Sequence, residues 1–205
     1  MRRKIGWRLG LGTLAVGLST LLTVAPAQAI TGNSGVYGTT FVDGAGSLTD
    51  DFGDHFSELG HSLCNGCSDS WNTDIVVMWQ AILAAEGLIG FSGIDGKFGP
   101  GTASATKQWQ ARYGLTADGW VGDDTWRKAD SRMRWTGQEY NATATYDATG
   151  DGHISFERGN SYSHSDPGDS GAYRVTGLSR GSHGVWLGGT RIHFHKRTVY
   201  VTGSF

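Results

Sequence analysis

One short phrase occurs twice in this chain and constrains its fold more than any other feature. Asp95-Gly96-Lys97-Phe98-Gly99-Pro100-Gly101-Thr102 reads D-G-x-apolar-G-x-x-T, and Asp118-Gly119-Trp120-Val121-Gly122-Asp123-Asp124-Thr125 repeats it 23 positions later. Each copy has the chemistry of a loop that runs into a helix. An Asp can accept bonds from backbone amides two residues on, and glycine accepts positive φ. Pro100 suits a first helical turn, while Asp123 and Asp124 bring acceptors and negative charge to unpaired helix amides. Two such units separated by a helix-length segment predict a small helical domain with internal pseudo-symmetry.

The segments around the repeats carry helical periodicity. Thr73 or Asp74 can cap a helix, and Ile75, Trp79, Ile82 and Leu83 then form one apolar stripe that Gly87 ends. Thr102, Ala105 and Trp109 recur at helical spacing after the first unit, and Tyr113-Gly114 closes that helix. A third, short helix is predicted from Thr125 to Met133. The helical period assigns Trp79, Trp109 and Trp126 to a core with Leu83 and Val121, whereas Trp120 suits core and surface equally.

Beyond Trp135 the pattern becomes alternating. Ala142, Ala144 and Tyr146 alternate with polar neighbours, as do Ile154 and Phe156. Val185-Trp186-Leu187 followed by Gly188-Gly189 and then Ile192 and Phe194 reads as a hairpin. Five or six short strands with one polar face predict a small antiparallel sandwich or partial barrel. The 33 glycines against three prolines fit a turn-rich region of short strands. The fold class is therefore α+β, a three-helix bundle followed by a small antiparallel β-rich domain.

Arg2, Arg3, Lys4 and Arg8 precede an apolar run from Leu9 to Val24 and then Ala27-Gln28-Ala29. This is the layout of a secretory signal peptide with Ile30 as first mature residue; the run is short for a retained membrane anchor. Removing the four basic residues leaves 13 Lys+Arg against 19 Asp+Glu, a net charge of −6 on about 176 residues. That balance gives no electrostatic reason to bind nucleic acid or an anionic membrane. The two cysteines, Cys64 and Cys67 in C-N-G-C, predict a disulfide in an exported protein. With His55 and His61 they also spell H-x5-H-x2-C-x2-C, an alternative set of zinc ligands. Residues 30–71 otherwise read as an irregular arm or linker with one helical turn near Asp51 to Leu59. Such a turn would gather Asp54, His55, Glu58 and His61, as a solvated polar face or a metal site.

Residues 74–130 resemble the peptidoglycan-binding domain family, a three-helix fold. Val76, Trp79, Gln80 and Leu83 match its V-x-x-L-Q-x-x-L with Trp in place of Leu, and residues Ile94 to Thr102 match I-D-G-x-F-G-P-x-T without a gap. Trp109-Gln110 replaces Phe-Gln, Gly114-Leu115 fits the following G-L, and Asp118 to Trp126 matches D-G-x-V-G-P-x-T-W with Asp123 for Pro. Ala129 stands where the family's final Leu falls. Asp95, Gly96, Phe98, Gly99, Pro100, Asp118, Gly119, Val121 and Gly122 are the framework of this match. The resemblance implies non-covalent attachment of a secreted protein to the bacterial cell wall, glycan strand and stem peptide together. Exposed aromatics such as Tyr113 or Trp120 could stack on sugars, and Lys97, Lys107 or Arg112 could pair with stem-peptide carboxylates.

Three fragments invite an enzymatic reading. Gly168-Asp169-Ser170-Gly171 copies a serine-protease nucleophile loop, but the chain lacks room for that scaffold. Ser163-His164-Ser165-Asp166 with His193 and His195 offers metal or acid–base chemistry without meeting the D-Ala-D-Ala peptidase motif. Asp147 to Ile154 copies half an EF-hand loop, yet Arg158 stands where the bidentate carboxylate belongs and a hairpin turn explains the residues as well. Asn141-Ala142-Thr143 spells a glycosylation acceptor expected to be unused in a bacterial wall protein.

The expected organisation is a signal peptide (1–29), an arm carrying Cys64 and Cys67 (30–71), a peptidoglycan-binding-like bundle (72–134) and a β-rich domain (135–205). The expected function is that of a secreted, monomeric, non-catalytic wall protein that binds peptidoglycan without cofactor or metal. The alternative is a cell-wall hydrolase with a metal-dependent site around His164, His193 and His195 of the β-rich domain.

Overall fold

The computed structural model describes residues 52–53, 55–136, 143–158, 173–188, 192 and 196–204. Among the described residues four helices come first: α1 (His55–Leu59), α2 (Asp74–Ala85), α3 (Pro100–Arg112) and α4 (Asp123–Asp130). Six strands follow: β1 (Met133–Thr136), β2 (Thr143–Asp147), β3 (Gly152–Arg158), β4 (Tyr173–Arg180), β5 (His183–Trp186) and β6 (Thr202–Ser204). The α+β class and the bundle-then-sheet order stand as expected.

The three bundle helices start as their sequences dictate. Pro100 opens α3 at the position where its missing N–H costs nothing. Asp123 and Asp124 occupy the first turn of α4, and Arg127 pairs with Asp123 at 3.0 Å one turn later. Side-chain capping of α2 differs from expectation. Thr73 is the N-cap but sends its hydroxyl back to the Asp69 carbonyl at 2.6 Å, and Asp74 turns outward to the C-terminal segment. At the bundle centre the indoles of Trp79, Trp109 and Trp126 are fully buried, with Trp79 edge-on to both others at centroid distances of 5.1 and 5.5 Å. Edge-to-face packing of this kind favours aromatic clusters.

The strands form a single antiparallel meander in the order β1-β2-β3-β4-β5-β6, rather than a sandwich or barrel. One row of paired positions crosses all six strands: Met133, Tyr146, Ile154, Leu178, Val185 and Gly203. Every side chain in that row is buried, which fixes the register because a one-residue slip would turn the whole row to solvent. Of the hairpin predicted at Gly188-Gly189, residues 189–191 and 193–195 lie outside the described residues. The outer edge of β5 is taken by β6, with Val185 opposite Gly203.

Helix α2 explains why one sheet suffices. All 12 of its residues are buried, the state of a helix that is apolar all round. Trp79 and its neighbours face the bundle, and at 100° per residue Val77, Ala81, Ala84 and Ala85 fall on the opposite arc. That second arc meets β3 and β4. Its small residues permit a close approach: a Cβ built on Gly152 would stand 1.8 Å from the Ala85 carbonyl oxygen. The helix is also pinned at both ends by the β region. At its start the Asp74 carboxylate accepts bonds from the Thr198 amide and hydroxyl at 2.6 Å each and from the Val199 amide at 2.9 Å. Glu86, just past its end, is held as described below.

The described part of the predicted arm packs on the bundle. Phe52, Leu59 and Leu63 are buried in the common core, because their apolar side chains cover the face of α4 around Trp126. Cys64 and Cys67 form the predicted disulfide.

Candidate functional site

The two repeated turns are built alike, and a glutamine from the preceding helix closes each. Gln80 of α2 accepts bonds from the Asp95 and Gly96 amides at 3.0 and 2.8 Å. Its amide donates to the Asp95 carboxylate at 2.9 Å, the Lys97 carbonyl at 3.1 Å and the Thr102 hydroxyl at 3.1 Å. Gln110 of α3 does the same for the second unit. It accepts from the Gly119 amide at 2.8 Å and donates to Asp118, the Trp120 carbonyl and Thr125 at 2.9, 2.8 and 3.2 Å. Gly96 and Gly119 have φ of +74° and +81°, and a side chain at Gly119 would meet the Ala103 carbonyl at 3.0 Å. Glycine is required there by conformation and by space. Asp95, Gly96, Thr102 and Gln80, and their counterparts Asp118, Gly119, Thr125 and Gln110, therefore serve the turn itself, leaving its third position free to vary.

That third position is Lys97 in the first unit and Trp120 in the second, and both are exposed. A strap formed by residues 63–72 crosses from one unit to the other. Leu63 pairs with Val121 through reciprocal backbone bonds of 3.2 and 2.9 Å. The Phe98 amide bonds the Ser70 carbonyl at 2.8 Å, and Trp71 pairs with Lys97. The Cys64–Cys67 disulfide closes the turn between these anchors. Each unit borders a cleft. The second lines a space of about 330 Å³ with Trp120, Asp118, Asp124 and Thr116. The first lines one of about 460 Å³ with Asp95, Lys97 and Asn72, to which Arg197 of the C-terminal segment is added. Arg197 donates to the Asp95 carbonyl at 2.6 Å.

Of the other sequence candidates, Lys107 is exposed and lays its methylenes against the Gly119 turn. Arg112 and Tyr113 lie elsewhere, at the junction with the sheet. Both bind the Glu86 carboxylate, Arg112 at 2.7 Å and Tyr113 through a short hydroxyl bond. Tyr146 donates to the same group at 2.7 Å, as do the Thr149 hydroxyl at 2.6 Å and amide at 3.2 Å. Burial raises the Glu86 carboxyl, but the bonds from Thr149, Tyr113 and Tyr146 outweigh it and hold the group below its ordinary value. Burial, together with the Glu86 charge, pushes Tyr146 up, and Tyr113 rises for the same reasons. Sequence reading missed Glu86 because nothing nearby in the chain marks it; its partners lie 26 to 63 residues away.

The candidate zinc set does not assemble. Cys64 and Cys67 are bonded to each other, His61 pairs with Asp69 at 2.9 Å, and His55 is buried between Phe52 and Trp126. Burial lowers the His55 pKa to about 3. The half EF-hand fragment is the β2–β3 turn: Asp147 pairs with Arg134 at 2.9 Å and Asp151 lies 3.8 Å from Arg180. No cluster of three metal-ligating side chains occurs among the described residues. His164, His193, His195, the Gly168–Gly171 loop, Asp54, Asn141 and residues 1–51 lie outside the described residues. None of the described helices is long and apolar enough to cross a membrane.

Residues 72–128 match the family model described as "Putative peptidoglycan binding domain". The match begins at the end of the strap, takes in both clamped turns and stops within α4. This stretch is a peptidoglycan-binding-like helical domain, and it supports peptidoglycan as partner and association with the cell wall. No curated protein and no solved structure matches the chain.

Proposed function

We propose that the chain is a secreted wall protein that binds peptidoglycan non-covalently through its helical domain and carries out no chemistry itself. The observation that carries this reading is the family match over residues 72–128, whose motif residues fold here into the two glutamine-clamped turns. The basic, apolar and A-x-A succession of the first 29 residues supports export, and the disulfide is of the kind an oxidising compartment retains. Among the sequence-derived ligand residues, Lys97, Lys107 and Trp120 are exposed and free to meet a polymer, whereas Arg112 and Tyr113 hold the bundle to the sheet. The protein acts as a monomer and needs no cofactor.

The test is sedimentation of the chain beginning at Ile30 with purified sacculi. Expected is protein in the pellet and no muropeptide in the supernatant, with or without a chelator. Protein left wholly in solution refutes binding, and soluble muropeptides refute the non-catalytic role.

A further inference from the structure

We infer that the wall-binding face has two indole platforms, Trp120 at the third position of the second repeat and Trp71 paired with the third position of the first, that stack sugars of one glycan strand. The inference rests on the proposed function and names the part of the polymer recognised and the residues that meet it. Trp71 is 64% exposed and Trp120 54% exposed. An exposed indole standing alone is ordinary on a protein surface, but these two are related by the internal repeat. Trp120 is the third residue of the second unit. The third residue of the first unit is Lys97, and Trp71 is the residue paired with it, its ring 5.5 Å below the Lys97 ammonium. Each unit thus has one exposed indole, the second at its third position and the first beside it, supplied by the strap.

The strap is shaped to hold that indole. Asp69 and Asn72, on either side of Trp71, adopt φ of +53° and +59°, the left-handed conformation that Asp and Asn tolerate better than other non-glycine residues and that turns the strap sharply there. The pairing of Leu63 with Val121 and of Trp71 with Lys97 ties the strap to both units, and the disulfide shortens the slack between them. Sugar rings present apolar C–H faces that stack on indoles, with hydroxyls and amides at their edges for polar partners. The cleft beside Trp120 supplies such partners in Asp118, Asp124 and Thr116, and Asp95 stands beside Lys97 in the other. The net charge of −6 on the chain from Ile30 argues against the stem-peptide carboxylates as the main attraction. The polymer's chemistry that fits is therefore the glycan strand.

The test compares the chain from Ile30 with Trp71→Ala, Trp120→Ala, the double variant and Trp186→Ala, an equally exposed indole on the sheet. Binding is measured on intact sacculi, on glycan strands stripped of peptide by an amidase, and in competition with soluble stem peptide. Each platform variant should lose about tenfold in affinity for stripped strands, the double variant more, and Trp186→Ala nothing. Trp71→Phe and Trp120→Phe should restore most of the binding, and melting midpoints should be unchanged. If the unaltered chain binds sacculi while either platform variant binds as well as it does, the platforms are refuted and the proposed function stands. Competition by stem peptide with no binding to stripped strands refutes the platforms likewise. If the unaltered chain binds nothing, the proposed function itself falls.

Discussion

Tyr146 of the sheet and Glu86 of the bundle, 60 residues apart in sequence, share a buried 2.7 Å hydrogen bond. The bond extends inward, since the Trp109 indole donates to the Tyr146 hydroxyl at 2.9 Å. Outward, Arg112, Tyr113 and Thr149 complete the shell around the carboxylate. A single acceptor thus joins α2, α3, β2 and the β2–β3 turn.

Replacing Glu86 with Gln should destabilise the chain by about 3 kcal/mol. The amide keeps one acceptor oxygen but faces Arg112 and three hydroxyls with an N–H₂ group, and Arg112 loses its counter-charge. Urea unfolding followed by tryptophan fluorescence measures the loss. A midpoint within 0.5 kcal/mol of wild type, on the order of a neutral surface change, would show that the network carries no energy.

The clamps should be equivalent in cost. Gln80→Ala strips partners from the Asp95 and Gly96 amides, and Gln110→Ala strips the Gly119 amide. Each leaves buried polar groups unmet, worth about 2 kcal/mol. Denaturant titration of both variants gives the comparison, and a cost confined to one of them would mean that the two turns are not energetically alike.

His55 predicts a pH dependence with a definite sign. Its pKa falls from 6.5 to about 3 on folding, so below pH 6.5 the unfolded chain takes up the proton and the folded chain does not. Stability conferred by the neutral ring is complete above about pH 6.5 and declines toward pH 3, by about 1.4 kcal/mol per pH unit within that window. The difference in unfolding free energy between wild type and His55→Phe, measured from pH 7 to pH 4, should carry this slope. Parallel curves would place the ring in water.

Glycines separate the contacts by sign. Gly152→Ala drives a methyl into the Ala85 carbonyl and should destabilise strongly, because backbone cannot step aside. Gly101→Ala, inside α3 with nothing within 4 Å, should stabilise by about 0.5–1 kcal/mol. Thermal melts of the pair check both directions at once.

The bundle was legible because its information is local. The repeated turns, Pro100, and the periodic tryptophans each declare themselves within a few residues, and α2 and α3 follow them closely, whereas α4 stops at Asp130 and Met133, the predicted helix end, opens β1. The sheet's strands were legible for the same reason, through the alternation of Ala144, Tyr146, Ile154 and Phe156. Its partner was not. The stripe Ile75, Trp79, Ile82, Leu83 accounts for one side of α2, and the second arc of Val77, Ala81, Ala84 and Ala85 was the unread sign of a layer on the other side. His55 and Phe52 looked like part of a polar arm because their burial depends on Trp126, more than 70 positions on. In the candidate site, Trp120 and Lys97 could be named from the motif, but Trp71 could not, since its relation to Lys97 is a pairing between distant backbones.

Because α2 is walled by tryptophans on one flank and by β3 and β4 on the other, the helical unit is not a detachable cassette. Cutting the chain after Asp130 would strip the lining from an alanine- and valine-rich flank and leave Asp74 and Glu86 without the β-region partners that satisfy them. A substitution in either half is therefore felt in the other through one shared rod.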